Sequence, residues 1–192
     1  SGGRVLMYGG YDGNNFLNDN RNALNDAYIY TPSSSSMSSN GKGGSGGEGT
    51  WTKVAHGPSA RDGHAMAPLS GGRVLMYGGQ DAVDNSLNDV WMFHGGLTNP
   101  TWTQLQNSAM PKRDGHAMAV LTPPAATTSR HPQSATVVVF GGQVTFRTFP
   151  TGTQDEALSN DVWTMPTVGC PPGSHGPSCQ LCSNNQWKNT TT

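Results

Sequence analysis

The sequence predicts an all-β fold assembled from repeated four-stranded antiparallel sheets. Composition is the first reason: 26 Gly and 13 Pro stand against only 12% charged residues, a balance suited to many short strands and turns and poor in the residues that fill helices. Repetition is the second. The decapeptide Ser1–Gly10 returns unchanged as Ser70–Gly79, and Arg61–Ala67 (RDGHAMA) returns as Arg113–Ala119. The third is order. Leu24-Asn25-Asp26-Ala27-Tyr28 recurs as Leu87-Asn88-Asp89-Val90-Trp91 and, loosened, as Leu158-Ser159-Asn160-Asp161-Val162-Trp163; Trp51-Thr52-Lys53-Val54 recurs as Trp102-Thr103-Gln104-Leu105.

Each unit then holds four strand-length segments in fixed sequence, A to D. In the complete central copy these are Gly63–Leu69, Arg73–Tyr77, Asn88–Phe93 and Trp102–Leu105, each rich in aromatic, β-branched or other apolar residues. Four strands per repeat, spaced roughly 50 to 70 residues apart, describe one blade of a β-propeller. Along the chain the segments read B-C-D, A-B-C-D, A-B-C, ten strands over about three blades with the first and last incomplete. Closed propellers need about four to eight blades, so the expectation is a partial ring from a longer protein.

The double glycines Gly9-Gly10, Gly78-Gly79 and Gly141-Gly142 permit positive φ where the chain turns after segment B. Tyr28, Trp91, Trp163, Trp51 and Trp102 supply apolar faces for packing blade on blade. Asp26, Asp89 and Asp161, just before segment C, are expected to accept backbone hydrogen bonds. His64 and His116, at equivalent strand starts, read as hydrogen-bonded packing residues, with ligand or catalytic roles as the alternative.

The combination of Gly-His entry, apolar strand closed by Gly-Gly, aromatic third strand and Trp-led fourth strand resembles the Kelch repeat over about residues 1–166. The resemblance implies Kelch-type propeller blades and a contact surface on the face that carries the B–C and D–A loops. Asp12, Asn14, Arg21, Asp81, Asp84, Lys112, Arg113 and Arg147 are the candidate partner-binding residues there, with solvated turn residues as the plainer reading. The opposite face carries two low-complexity insertions, Thr31–Thr50 and Thr122–Ala135. They cannot build a core and offer Ser33, Ser34, Ser35, Ser36, Thr127 and Thr128 for O-glycosylation, or serve as plain linkers. Asn189-Thr190-Thr191 is an N-glycosylation sequon.

No cysteine occurs before Cys170; Cys170, Cys179 and Cys182 then follow closely, marking a second module over residues 167–192. Its spacing resembles part of an EGF-like, Cys-rich module. Under that resemblance Cys170 pairs with Cys179, and Cys182 with a cysteine beyond Thr192. The alternative, C-x2-C zinc binding, lacks a second pair or a nearby histidine cluster. Disulfides imply an oxidising compartment, and propeller followed by EGF-like modules is similar to attractin-like extracellular proteins.

The net charge of −1 gives no electrostatic footprint for nucleic acid, and the strongest apolar run, Val137–Phe140, is too short to insert into a membrane. Kelch-like copper oxidases need a Tyr–Cys crosslink, and the propeller part holds no cysteine. No nucleophile elbow, zinc-protease or phosphate-loop motif is present. The expectation is therefore a non-catalytic extracellular interaction or adhesion module without cofactor. Its expected partners are other proteins or further parts of the same chain, with attached glycans. The alternatives are a self-assembling structural subunit of a glycoprotein filament, appendage or coat, and a cytosolic Kelch adaptor.

Overall fold

The computed structural model describes residues 3–13, 22–33, 49–55, 57–96, 99–105, 110–121, 135–147, 154–166 and 188–189. The strands among them are β1 (Val5–Tyr11), β2 (Ala23–Thr31), β3 (Thr50–Lys53), β4 (Ala65–Leu69), β5 (Arg73–Tyr77), β6 (Val90–His94) and β7 (Thr101–Leu105). They continue as β8 (Arg113–Asp114), β9 (Ala117–Leu121), β10 (Thr136–Phe140), β11 (Gln143–Arg147), β12 (Gln154–Leu158), β13 (Val162–Pro166) and β14 (Lys188–Asn189). The class is all-β, and every described strand pairing is antiparallel.

Three sheets carry the repeat. Unit one is β1-β2-β3, unit two is β4-β5-β6-β7, and unit three is β9-β10-β13-β14. The ten expected segments each become a strand in the expected order. Two expectations need correction. Unit three has a fourth strand: β14 pairs with β13 through Trp163↔Asn189 and Thr164↔Lys188. The span Gln143–Ala157, read as a loop, contains the hairpin β11–β12, which β8 extends into a small fourth sheet. Gln143↔Asp114 and Gln143↔Leu158 in this sheet correspond to the bridges Asp62↔Gln80 and Gln80↔Ser86 in unit two.

The units pack through the alternation of their second strands. In β5, Leu75 and Tyr77 join Val137, Val139 and Met165 of unit three in one buried cluster. The intervening Met76 joins Tyr8, Ala27 and Ile29 of unit one in another. A strand buried on both faces reads as a continuous apolar run, which is why RVLMY shows no polar alternation. Trp102, on β7, packs against Tyr8 of unit one and Phe93 of its own sheet, with ring centroids 5.1 and 5.0 Å away.

The identical decapeptide therefore lies in two environments. Met76 is fully buried, whereas its counterpart Met7 is 43% exposed. At the far end Phe140 is 53% exposed, where the equivalent Tyr77 is fully buried. Met76→Ala should lower unfolding free energy by about 2–5 kcal/mol, while Met7→Ala, within the same ten residues, should change it by about 0.5 kcal/mol or less. Chemical denaturation midpoints of the two variants check this; equal losses would contradict the packing described.

Candidate functional site

The ends of the sheets where the B–C and D–A loops meet hold most of the buried charge. Arg61 and Arg113 are fully buried. The Arg113 guanidinium donates to both carboxylate oxygens of Asp161, at 2.8 and 2.9 Å, and to the Gly141 carbonyl at 2.7 Å. Arg61 repeats the pattern on Asp89, at 2.6 and 2.7 Å, and on the Gly78 carbonyl at 2.9 Å. Such bidentate pairs are the strong, directional form of a charge-assisted hydrogen bond. Trp91 and Trp163 donate their indole N–H to the same aspartates, so each aspartate is held by arginine and tryptophan together.

The backbone of each arginine belongs to the preceding unit. Arg61 N donates to Leu24 O, and Gly10 N donates to Arg61 O; Arg113 does the same with Leu87 O and Gly79 N. One residue thus bonds two sheets, its peptide to one and its side chain to the next. The double glycines make room for it. Gly78 has φ of 64°, and a Cβ there would lie 2.5 Å from Arg113 O; Gly9 stands in the same relation to Arg61 O at 2.6 Å.

Burial works against ionisation of Asp89, yet the hydrogen bonds and charge of Arg61, with Trp91, hold its carboxyl below the usual range. The Arg113 hydrogen bonds hold Asp161 well below that range against a smaller desolvation penalty. His64 and His116 lie behind the arginines, edge-on to Tyr8 and Tyr77 with centroids 5.6 and 5.1 Å apart. Burial first, and the adjacent arginine second, push both histidines down to about 4. They are packed against the tyrosines; His64 Nδ1 and both His116 nitrogens are buried without a well-formed hydrogen bond, although the Tyr77 backbone lies near enough to His116 to favour its charged form. Tyr8 and Tyr77 send their hydroxyls to the carbonyls of Pro58 and Pro111, at 2.6 and 2.5 Å.

The candidate partner-binding residues separate on inspection. Arg113 is wholly interior and presents nothing to a partner, a correction to its reading as a surface residue. Arg147 lies on β11 opposite Gln154, not in a loop. Asp81 organises the 80–86 loop: its Oδ1 accepts the amides of Val83 and Asn85, both at 2.9 Å, and Asp84 takes φ of 61°. This ordered turn leaves Val83 71% exposed at its tip. Lys112 is exposed on the adjoining D–A loop, and its charge favours ionised Asp81. Asp12 accepts Asn22 Nδ2 at 3.1 Å in the equivalent loop of unit one. Ser33 is exposed just beyond β2, and Asn189 is on β14. Asn14, Arg21, Ser34, Ser35, Ser36, Thr127, Thr128, Cys170, Cys179 and Cys182 lie outside the described residues.

Sequence reasoning missed the arginine clamps. Asp89 and Asp161 were expected to accept backbone hydrogen bonds; beyond those, they accept the guanidinium groups of Arg61 and Arg113. The signal was present, since Arg and Asp recur together in both complete copies of the motif.

These features define an all-β array of antiparallel sheets riveted by buried arginines. No family model and no curated protein matches the chain. Among solved structures it is similar to YjhT, with a TM-score of 0.51 and 12% identity over 86% of this chain and 38% of that one. The chain spans less than half of that structure's length, and the likeness is one of fold.

The histidines give the site a pH signature. Their folded pKa is depressed to about 4 from 6.5, so below pH 6.5 the unfolded chain binds protons that the folded one refuses. Their contribution is intact above 6.5 and is lost as pH falls toward 4, on the order of 3 kcal/mol for each histidine. Thermal melts from pH 7.5 to 4 should show this fall, and a His64→Leu/His116→Leu variant should show a flatter profile whatever its absolute stability. An unchanged slope would contradict the burial described.

Proposed function

We propose that the chain is part of a Kelch-type β-propeller that serves as a non-catalytic protein-interaction module of an extracellular protein. The observation that carries this reading is the division of labour at the loop end. The buried ionic groups there, Arg61, Asp89, Arg113 and Asp161, bind sheet to sheet, and the nearby histidines are held neutral by burial. What faces outward is a turn fixed by Asp81 that presents Val83, beside exposed Lys112. A rigid loop with an apolar tip and a charged rim is the anatomy of a protein contact. Repeated four-stranded sheets packed face to face support the propeller reading. The cysteines of the 170–182 stretch and the sequon at Asn189 support an oxidising compartment.

Two measurements on protein from its native source test this. Cys170, Cys179 and Cys182 should resist alkylation in denaturant until reduced, and Asn189 should carry a glycan that peptide-N-glycosidase removes. Freely alkylated cysteines with a bare Asn189 would overturn the extracellular reading in favour of a cytosolic adaptor. A photo-cross-linking residue at position 83 should capture a protein partner that the same residue at Ser70, on the opposite A–B turn, does not. Equal capture at both positions would contradict a contact surface at the loop end.

A further inference from the structure

A net charge of −1 hides a division of charge along the strands. Arg61 with Asp89 and Arg113 with Asp161 cancel in pairs between the sheets. Apart from these clamps and Asp26, the loop end holds Asp12, Asp62, Asp81, Asp84, Asp114 and Glu156 against exposed Lys112. Arg147 on β11 and Asp155 on β12 offset each other, as do Asp19 and Arg21 in the remaining loop-end sequence. Among the described residues no carboxylate lies at the opposite end, where Arg4 precedes β1 and Arg73 opens β5.

The acidic residues of units two and three do not ride on independent loops. Thr145 N donates to Lys112 O at 3.1 Å. Thr145 Oγ1 donates to Ser86 Oγ at 2.7 Å, and Ser86 Oγ to Asp114 Oδ1 at 3.1 Å. Ser86 is buried, so this relay ties the hairpin β11–β12, the D–A loop and the 80–86 turn into one surface that spans both units. Burial works against ionisation of Asp81, yet hydrogen bonds from Asn85 and Val83, with the charge of Lys112, hold its carboxyl below the usual range. Val83 stands exposed among these carboxylates.

We propose that the partner of the loop end is a basic protein segment, its lysines or arginines facing the carboxylates of units two and three and an apolar residue packing on Val83. The inference rests on the interaction-module reading and names the partner's chemistry. Complementary charge is what selects the occupant: a surface of one sign steers partners of the other and repels its own. The ordered relay beneath the surface lowers the cost of binding, because the loops are already held in place. The apolar contact on Val83 separates docking from the mere gathering of cations around an acidic face.

The probe is a fluorescent, amidated heptapeptide of six lysines around a central leucine, titrated into the full chain and followed by anisotropy. Saturable one-to-one binding is expected, weakening about tenfold between 50 and 300 mM salt. Asp84→Asn with Glu156→Gln removes two negative charges at exposed positions, and asparagine suits the φ of 61° at position 84. This pair should weaken binding about fivefold. Ser70→Lys with Thr101→Lys makes the same change in net charge at exposed positions of the opposite end and should leave binding within about twofold. Val83→Ser, or glycine for the peptide's leucine, should each weaken it about fivefold, and combining them little further. A peptide of glutamates around leucine should not bind. Absence of saturable binding, equal losses from the two charge pairs, or indifference to both Val83 and the leucine would each overturn the proposal. Failure of the interaction reading is separate: it shows as no protein captured at position 83, whereas capture there of an acidic partner keeps that reading and overturns this one.

Discussion

The arginine that binds two sheets at once is the constraint on which the remainder of this structure depends. A guanidinium buried without a partner is strongly unfavourable, and the penalty is offset only by good geometry and complete hydrogen bonding. Arg61 meets that demand, and Arg113 meets it at its two terminal nitrogens but not at its buried Nε, through an aspartate from the start of a third strand and a glycine carbonyl from the end of a second. Because the arginine peptide is hydrogen-bonded to the preceding unit, the charge pair fixes the spacing and rotation between successive sheets. The packing of Tyr8 against Trp102, and of Tyr77 against His116, falls into place around it.

Local chemistry follows from the same constraint. The glycine pair after each second strand supplies positive φ and, equally, the absence of a Cβ where the arginine carbonyl of the next unit approaches. Gly141 shows the other side of the argument. Among the described residues its nearest neighbour to a Cβ is Ser159 O at 3.2 Å, with no arginine carbonyl against it. The histidines are buried beside a positive charge and are therefore neutral near neutral pH.

Much of the fold was legible in the sequence because an exact decapeptide and a repeated RDGHAMA announce equivalent positions, and the segments between them have strand length. Three features were not legible. The hairpin β11–β12 was read as a loop: QVTFR of β11 does alternate polar and apolar residues, but it is only five residues long and its partner QDEAL carries no such alternation. The fourth strand of unit three lies beyond the cysteines, although Trp187 stands two residues before Asn189 as Trp102 stands two before Gln104 and Trp51 two before Lys53. The clamps escaped because aspartates at strand starts usually serve nearby backbone, and pairing residues 28 or 48 apart needs the fold itself. At the loop end, Asp81 and Lys112 were recognisable as surface residues; Arg113 was not recognisable as interior, since its sequence neighbours are polar.

Native-state hydrogen exchange on an Arg61→Gln variant tests the coupling of sheets most directly. If the clamp joins unit one to unit two, the amides of β1, β2 and β3 should exchange through a partial opening that β9, β10 and β13 do not share. Uniform loss of protection across all three units, or no loss at all, would contradict a structure held together by its buried arginines.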